Sequence, residues 1–340
     1  MKALVWNEKL KIELREVEEP RLKRDNDVKV KIYGTGICGT DLNVLKGKMD
    51  ARVNMIPGHE AVGTVVEIGS DVKNISVGDR VVIDPTQFCG RCDYCRQGLT
   101  CYCDNFDDFQ LGLGANGTFA DYYVGEDRFM YKIPDDMSWD TAILIEPLTC
   151  VLNIITQARI SPEDAVLIVG SGPIGAICQM VCKKIAGLTV GVDISEYRLK
   201  MSSEICDYVY TPQELTEAEI LRINYGRKFD VIIDAVGNQM ESLIPFAGKG
   251  ARLFAAGFDQ KYQLKVNTFK LLSDGISLIG TGEVNQMTTS AVRYASRLKD
   301  LSKLVTKKVP LSEFEDAFNE LMGIDKAVTD MKIVLLSNIE

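Results

Sequence analysis

The sequence predicts an α/β protein of two domains: a β-rich N-terminal domain, then a doubly wound parallel sheet. Three observations carry this. The chain has 340 residues, more than one hydrophobic core usually serves. Up to about residue 125 it consists of short β-type runs broken by glycine, with no long helical period. Beyond about residue 160, strand-like and helix-like segments alternate, the pattern of a parallel sheet covered by helices.

In the first region VKVKIY (28–33), TVVEI (64–68) and RVVI (80–83) read as strands, each followed closely by Gly or Asp turn residues. In the second, AVLIVG (165–170) is continuously apolar, as a strand buried on both faces must be. Ile174, Ile177, Val181 and Ile185 then recur at helical spacing. TVGVD (189–193) is the next strand, 196–206 the next helix, and FDVIIDAVG (229–237), ARLFAAG (251–257) and SLIGTG (277–282) continue the sheet. Two amphipathic helices, near 286–301 and 311–321, precede a closing strand MKIVLL (331–336). The expected division is 1–148, 149–283 for the parallel sheet, and 284–340 returning to the first domain.

The composition narrows the function. A net charge of −9 with no basic cluster disfavours nucleic acid and anionic membrane as partners, since phosphates need a basic face. No stretch approaches the roughly 18 apolar residues of a membrane helix. The opening MKALVWNEKLKIEL is too soon interrupted by charge for a signal peptide, so a cytoplasmic setting is expected. Ten cysteines in such a chain point to thiols or metal rather than disulfides.

GSGPIG (170–175) is G-x-G-x-x-G placed after a strand and opening a helix. Gly170 permits the tight turn, Gly172 lets backbone approach a pyrophosphate, and Gly175 allows close helix–strand packing. Pro173 and Ile174 begin the helix, whose N-terminal N–H groups face the phosphates. Asp193, ending the next strand, can accept both ribose hydroxyls and would repel a 2′-phosphate, which favours NAD over NADP. Arg198 could shield the adenine, or soften that preference by turning toward the ribose. The competing reading is a tight strand–helix turn with no ligand; glycines and acid occurring together favour the dinucleotide.

Cys89, Cys92, Cys95 and Cys103 form C-x2-C-x2-C-x7-C. Four thiolates in one loop make a closed tetrahedral Zn²⁺ site with no open position, hence a structural one. Cys101 competes for the fourth place, and spacing leaves that open. A redox C-x-x-C is the weaker alternative for so many cysteines in one short loop.

His59 is the only histidine, in IPGHEAVG (56–63). GICGTD (36–41) sets Cys38 and Asp41 in a glycine-rich loop after a strand, so two separated loops supply thiolate, imidazole and the Glu60 carboxylate. A catalytic zinc takes three protein ligands and keeps one labile position. Such a cation would polarise an alcohol oxygen and lower its pKa, which suits hydride release to NAD⁺. The ordinary alternative for His59 is a buried, hydrogen-bonded ring.

Taken in order, GICGTD, PGHEAVG (57–63), the four-cysteine cluster, IEPL (145–148) and GSGPIG resemble the zinc-dependent medium-chain dehydrogenases, most closely the sorbitol and polyol branch. The resemblance implies a GroES-like catalytic domain and a Rossmann nucleotide domain, with the catalytic zinc in the cleft between them. It implies Cys38 and His59 as zinc ligands with Glu60 close by, and Glu146 where alcohol dehydrogenases carry a second cysteine. Which of Glu60 and Glu146 binds directly and which holds a water is left open. Thr40 matches the hydroxyl that takes the substrate proton, and Asp41 is expected to accept the other ring N–H of His59. Plain loop capping is the alternative for both. The family often ends its proton relay at a second histidine, which this chain lacks.

GTGEVNQ (280–286) falls where polyol dehydrogenases line the pocket with an arginine, and here carries Glu283. A carboxylate there would welcome an amine or a hydroxyl cluster and repel phosphate; the alternative is that the alignment slips by a residue and Glu283 is simply solvated. The expected function is therefore reversible, NAD-dependent oxidation of a secondary alcohol on a polyol, cyclitol or aminocyclitol, with two zinc ions per chain. An amino-alcohol dehydrogenase of the threonine-oxidising type, or a non-catalytic NAD-binding protein on the same scaffold, are the rivals. The expected partners are a small polyhydroxy or amino-hydroxy substrate and copies of the chain itself, as a homodimer or homotetramer joined through the edge strand at 277–282.

Overall fold

The glycine-broken runs become strands of one seven-stranded sheet in the computed structural model, which describes residues 1–324 and 328–337. In spatial order these are Val305–Pro310, Lys332–Leu336, Asp27–Gly36, Glu60–Ile68, Arg80–Ile83 and Met130–Lys132, with Tyr122–Glu126 pairing to Asp27–Gly36 off that path. All pairs are antiparallel except Val305–Pro310 with Lys332–Leu336. Because side chains alternate across a strand, Val28, Val30 and Ile32 share one face with Ala61, Val65, Val81 and Ile83 in a buried cluster. Each fully buried valine or isoleucine there contributes roughly 1.5–3 kcal/mol. On a second cluster, Phe314 and Phe318 of the helix Phe314–Met322 pack with Leu4, Phe119, Ile333 and Leu335. The C-terminal segment is thereby part of the N-terminal core.

The second sheet has six strands, all parallel, in the order Tyr208–Tyr210, Leu188–Val192, Ala165–Val169, Phe229–Asp234, Ala247–Ala255, Ser277–Gly280. Every residue of Ala165–Val169 is buried, which explains its unbroken apolar run. Chain order reverses between Ala165–Val169 and Phe229–Asp234, so the crevice of a doubly wound sheet opens beyond the carboxyl end of Ala165–Val169. The chain divides into Met1–Thr149 with Glu283–Glu340 as one compact unit and Cys150–Gly282 as the other. The architecture is the predicted one: a sheet-rich unit and a doubly wound parallel-sheet unit.

The departures have local causes. The central strands run longer than the apolar runs, to Asp27–Gly36 and Glu60–Ile68, because each is paired along its length with the other. The helix expected over 286–301 is only Thr288–Ala295, since Gln286 adopts φ 55°, which a helix cannot contain. The last helix begins as a tight turn, Leu311–Glu313, and stops at Gly323 with φ 67°. Strands Lys2–Trp6 and Ile12–Glu16, which form a separate two-stranded sheet, together with Tyr122–Glu126, Met130–Lys132, Tyr208–Tyr210 and Val305–Pro310, lie outside the strand runs named from the sequence; the shortest carry too few residues for a clean alternation. Among the described residues no helix is long and apolar enough to cross a membrane.

Candidate metal centre and nucleotide site

The first cluster grows out of the central strand pair. The register sets Gly36 opposite Glu60, at the ends where the two chains leave the sheet. A side chain at position 36 would put its Cβ 2.3 Å from Glu60 Oε2, so the glycine is what admits the carboxylate. Two residues beyond Gly36, Cys38 stands at the start of the helix Gly39–Leu45. One donor atom each of Cys38, His59 and Glu60 lies within 4.8 Å of the others. Sulfur, imidazole nitrogen and carboxylate oxygen converging this closely form a donor set suited to Zn²⁺.

Electrostatics there are dominated by burial. Desolvation pushes the Cys38 thiol up to about 12, the nearby Glu60 charge adding to it. Glu146, in the first turn of Ile145–Ala158, is raised to about 8 by burial, with Glu60 and Cys38 raising it and His59 and Lys332 opposing. Glu146 thus stands within the field of the cluster, although it is outside the set of three mutually close donors. Thr40 Oγ1 accepts from Cys38 Sγ at 3.7 Å. Asp41 is buried, and its Oδ2 accepts the Cys38 backbone N–H at 2.9 Å, capping the helix. Burial raises its pKa and the His59 ring opposes, but no His59–Asp41 hydrogen bond forms among the described residues.

Lys332 is the residue that sequence reasoning missed. It opens the closing strand, is 3% exposed, and its Nζ donates to both Glu60 oxygens at 2.6 and 2.5 Å and to Ile37 O at 3.0 Å. A lysine at the edge of an apolar run reads as a strand boundary. What would have flagged it is that a buried ammonium requires a carboxylate.

The second cluster is Cys89, Cys92, Cys95 and Cys103, whose sulfurs all lie within 4.8 Å of one another. Cys89 Sγ is 4.0 Å from Cys95 Sγ, and Cys92 Sγ is 4.0 Å from Cys103 Sγ. Tetrahedral Zn–S bonds of about 2.3 Å imply sulfurs about 3.8 Å apart, so this spacing fits. Backbone N–H groups of Arg91 and Cys92 point at Cys89 Sγ at 3.5 and 3.4 Å, and that of Cys89 at Cys103 Sγ at 3.3 Å. Such donors stabilise thiolate, and they hold the Cys89 thiol near 6. Cys103, not Cys101, completes the group; burial raises the Cys101 thiol, and so does the charge of Glu283.

Glu283 is exposed by area, yet desolvation of its carboxyl raises its pKa while His59 lowers it. The segment after it is tied to the cysteine loop. Asn285 Oδ1 accepts from Thr100 N and Oγ1, both at 3.0 Å, and its Nδ2 donates to Gly98 O at 2.9 Å.

In the second unit Gly170 turns at φ 90° and Gly172 precedes the helix Pro173–Cys182, with Pro173 at its first position and Ile174 in its first turn. A Cβ on Gly175 would lie 1.7 Å from Gly170 O, so the turn closes onto the helix only with glycine there. Asp193 Oδ2 accepts Ser171 N at 2.6 Å and Oδ1 accepts Ser195 N at 2.8 Å. Arg198 Nη1 is 4.0 Å from Asp193 Oδ2, and lies 3.8 Å from where a Cβ on Gly172 would be. The turn, the helix start, the acid and the guanidinium are therefore in one place, a cradle suited to a dinucleotide phosphate and ribose.

Known proteins agree with both halves. Residues 24–135 match the alcohol dehydrogenase GroES-like domain, and residues 173–297 match the zinc-binding dehydrogenase family. The chain is 31% identical to the probable D-xylulose reductase A of Arthroderma otae, covering 92% of this chain and 91% of that one. It is 26% identical to the sorbitol dehydrogenase of Bacillus subtilis, covering 95% and 94%. Among solved structures, zinc dependent alcohol dehydrogenase 2 from Streptococcus pneumonia superposes with a TM-score of 0.88 at 25% identity, covering 100% of this chain and 99% of that one. The chain belongs to the zinc-dependent medium-chain alcohol and polyol dehydrogenases.

Proposed function

We propose that the protein oxidises, reversibly and with NAD, a secondary alcohol of a polyol, cyclitol or aminocyclitol. The observation that carries this is the convergence of Cys38, His59 and Glu60 within 4.8 Å, in a chain that also folds a dinucleotide turn. When bound, zinc would supply Lewis acidity toward a substrate oxygen, and NAD would supply a hydride acceptor. Cys38 and His59 would hold the ion, with oxygen from Glu60 or Glu146, one binding directly and the other holding a water. Lys332 fixes Glu60 through both oxygens and keeps that charge compensated. Thr40, within reach of Cys38, takes the hydroxyl proton, and Asp41 orients the Cys38 loop. The cluster of Cys89, Cys92, Cys95 and Cys103 holds a second, structural zinc. Asp193 receives the ribose hydroxyls, Arg198 flanks them, and the acid disfavours a 2′-phosphate. The chain acts as a homodimer or homotetramer, with Ser277–Gly280, which ends the parallel sheet, as the joining edge.

Glu283 sets the substrate class. Its carboxyl, in the field of His59, suits an ammonium or clustered hydroxyls on the substrate. That observation also keeps an amino-alcohol of the threonine type as the second reading. Screening NADH formation over polyols, cyclitols, aminocyclitols and amino-alcohols tests both. Glu283→Ala is expected to raise KM for an amino substrate roughly tenfold, the scale of one charge-assisted contact, and to leave the deaminated analogue within about twofold. Equal effects on both would remove Glu283 from the pocket. No NADH formation with any member, or none lost in His59→Ala, would remove the enzymatic reading.

A further inference from the structure

We propose that Gln179 is a positioning residue for the nucleotide: it locks the phosphate-binding turn and, through that turn, sets the carboxylate that meets the ribose. The inference rests on the nucleotide-site reading above and deepens it, since Gln179 has no part in the glycine fingerprint.

Gln179 lies midway along the helix Pro173–Cys182, among buried Ala176, Ile177, Cys178, Met180 and Val181, and is itself 0% exposed. An amide in such a position is costly unless its hydrogen bonds are made, and an aliphatic side chain would fill the space more favourably. Its Oε1 has no partner among the described residues, so packing alone does not account for the choice. The bond it does make is specific. Nε2 donates to Ser171 Oγ at 2.9 Å, and Ser171 is the 0% exposed residue between the first two glycines of the turn.

The chain of contacts continues. Ser171 N donates to Asp193 Oδ2 at 2.6 Å, and Asp193 Oδ1 accepts Ser195 N at 2.8 Å. One line of hydrogen bonds thus runs from the helix interior through the turn to the ribose-binding acid. The fold also makes room for it: a Cβ on Gly191 would stand 2.7 Å from Gln179 Nε2, so the strand Leu188–Val192 carries glycine where the amide sits. Removing the amide frees the Ser171 hydroxyl and lets the turn and Asp193 shift together. Removing the hydroxyl breaks the same link from the other side.

The test is calorimetric titration of the full-length protein with ADP-ribose and with its 2′-phosphate. Wild type, Gln179→Leu, Ser171→Ala and the double variant are compared, with melting temperatures recorded alongside. Each single variant is expected to weaken ADP-ribose binding roughly 5- to 20-fold, the range for one buried hydrogen bond lost with its partner stranded. The double variant should be no more than about twofold weaker than the worse single, because both break one link. The preference for ADP-ribose over the 2′-phosphate should narrow as Asp193 loosens, a change that mere destabilisation would not produce. A lower melting temperature with unchanged affinity and preference, or losses that simply add, overturns the proposal. Should Gln179→Leu not fold, Ser171→Ala alone decides, and unchanged affinity in it is the contrary result. Wild-type protein that ignores ADP-ribose overturns the nucleotide site itself, and this inference with it.

Discussion

Two clusters of metal-ligating side chains, each containing cysteine, stand in the same unit and are built in opposite ways. Cys89, Cys92, Cys95 and Cys103 come from one loop, are chemically identical, and are braced by backbone N–H groups. Cys38, His59 and Glu60 come from two strand ends, mix three donor types, and lean on an ammonium from the far end of the chain. The first arrangement has the shape of a closed four-sulfur site, with no position left for a substrate; the second is asymmetric, with Glu146 and Glu283 in its field. On the proposed function, similar sulfur chemistry would serve stability in one place and reactivity in the other, with the surroundings of the sulfur making the difference.

The largest expected effect divides the two. Cys38→Ser should lower kcat by roughly a thousandfold or more, by loss of the Lewis acid, while the protein keeps about one zinc per chain and melts near wild type. Cys89→Ser should also leave about one zinc, but should lower the melting temperature and open the 89–103 loop to protease. Its kcat per folded molecule should stay within a few fold. Zinc analysis with activity per folded molecule checks both, and a Cys89→Ser protein that folds but loses activity as Cys38→Ser does would erase the distinction.

How much of each group could be read from sequence follows from the same contrast. The cysteine loop was legible because its ligands share one short stretch and their spacing is the signal. The glycine turn was legible because three backbone requirements recur at fixed offsets. The reactive cluster was half legible: Cys38, His59 and Glu60 stood out by type. Lys332, 272 residues from Glu60, left no local trace. Spacing could not separate Cys101 from Cys103, and both are buried; what decides is that only Cys103 Sγ lies within 4.8 Å of the other three. Two of the missed strands, Tyr208–Tyr210 and Val305–Pro310, lie at sheet edges and are held by their neighbours rather than by their own pattern.

A second, smaller effect probes what supports the reactive cluster. Lys332→Met removes the partner of a carboxylate that is 1% exposed, and breaking such a pair costs about 3–5 kcal/mol. Denaturant unfolding of the metal-free protein should show that loss, and Glu60→Gln combined with Lys332→Met should recover part of it. No change in the single variant would mean the ion pair is not what holds the strand ends together.

The smallest effect concerns pH. Glu146 is raised to about 8 from an ordinary carboxylate value of 4.5, so the folded metal-free protein holds a proton that the unfolded chain releases. Its contribution to stability is complete below about pH 4.5 and is lost as pH rises toward 8. Glu146→Gln should therefore melt with wild type at low pH and above it at pH 8, both metal-free. Parallel curves across that window would show that Glu146 keeps an ordinary carboxylate value.

The most direct test of the division of labour is zinc K-edge absorption on the Cys89→Ser/Cys92→Ser variant, which retains only the reactive site. One sulfur at about 2.3 Å with nitrogen and oxygen at about 2.0–2.2 Å is the expected shell. A shell without sulfur, or no bound zinc at all, would contradict a catalytic ion held by Cys38 and His59.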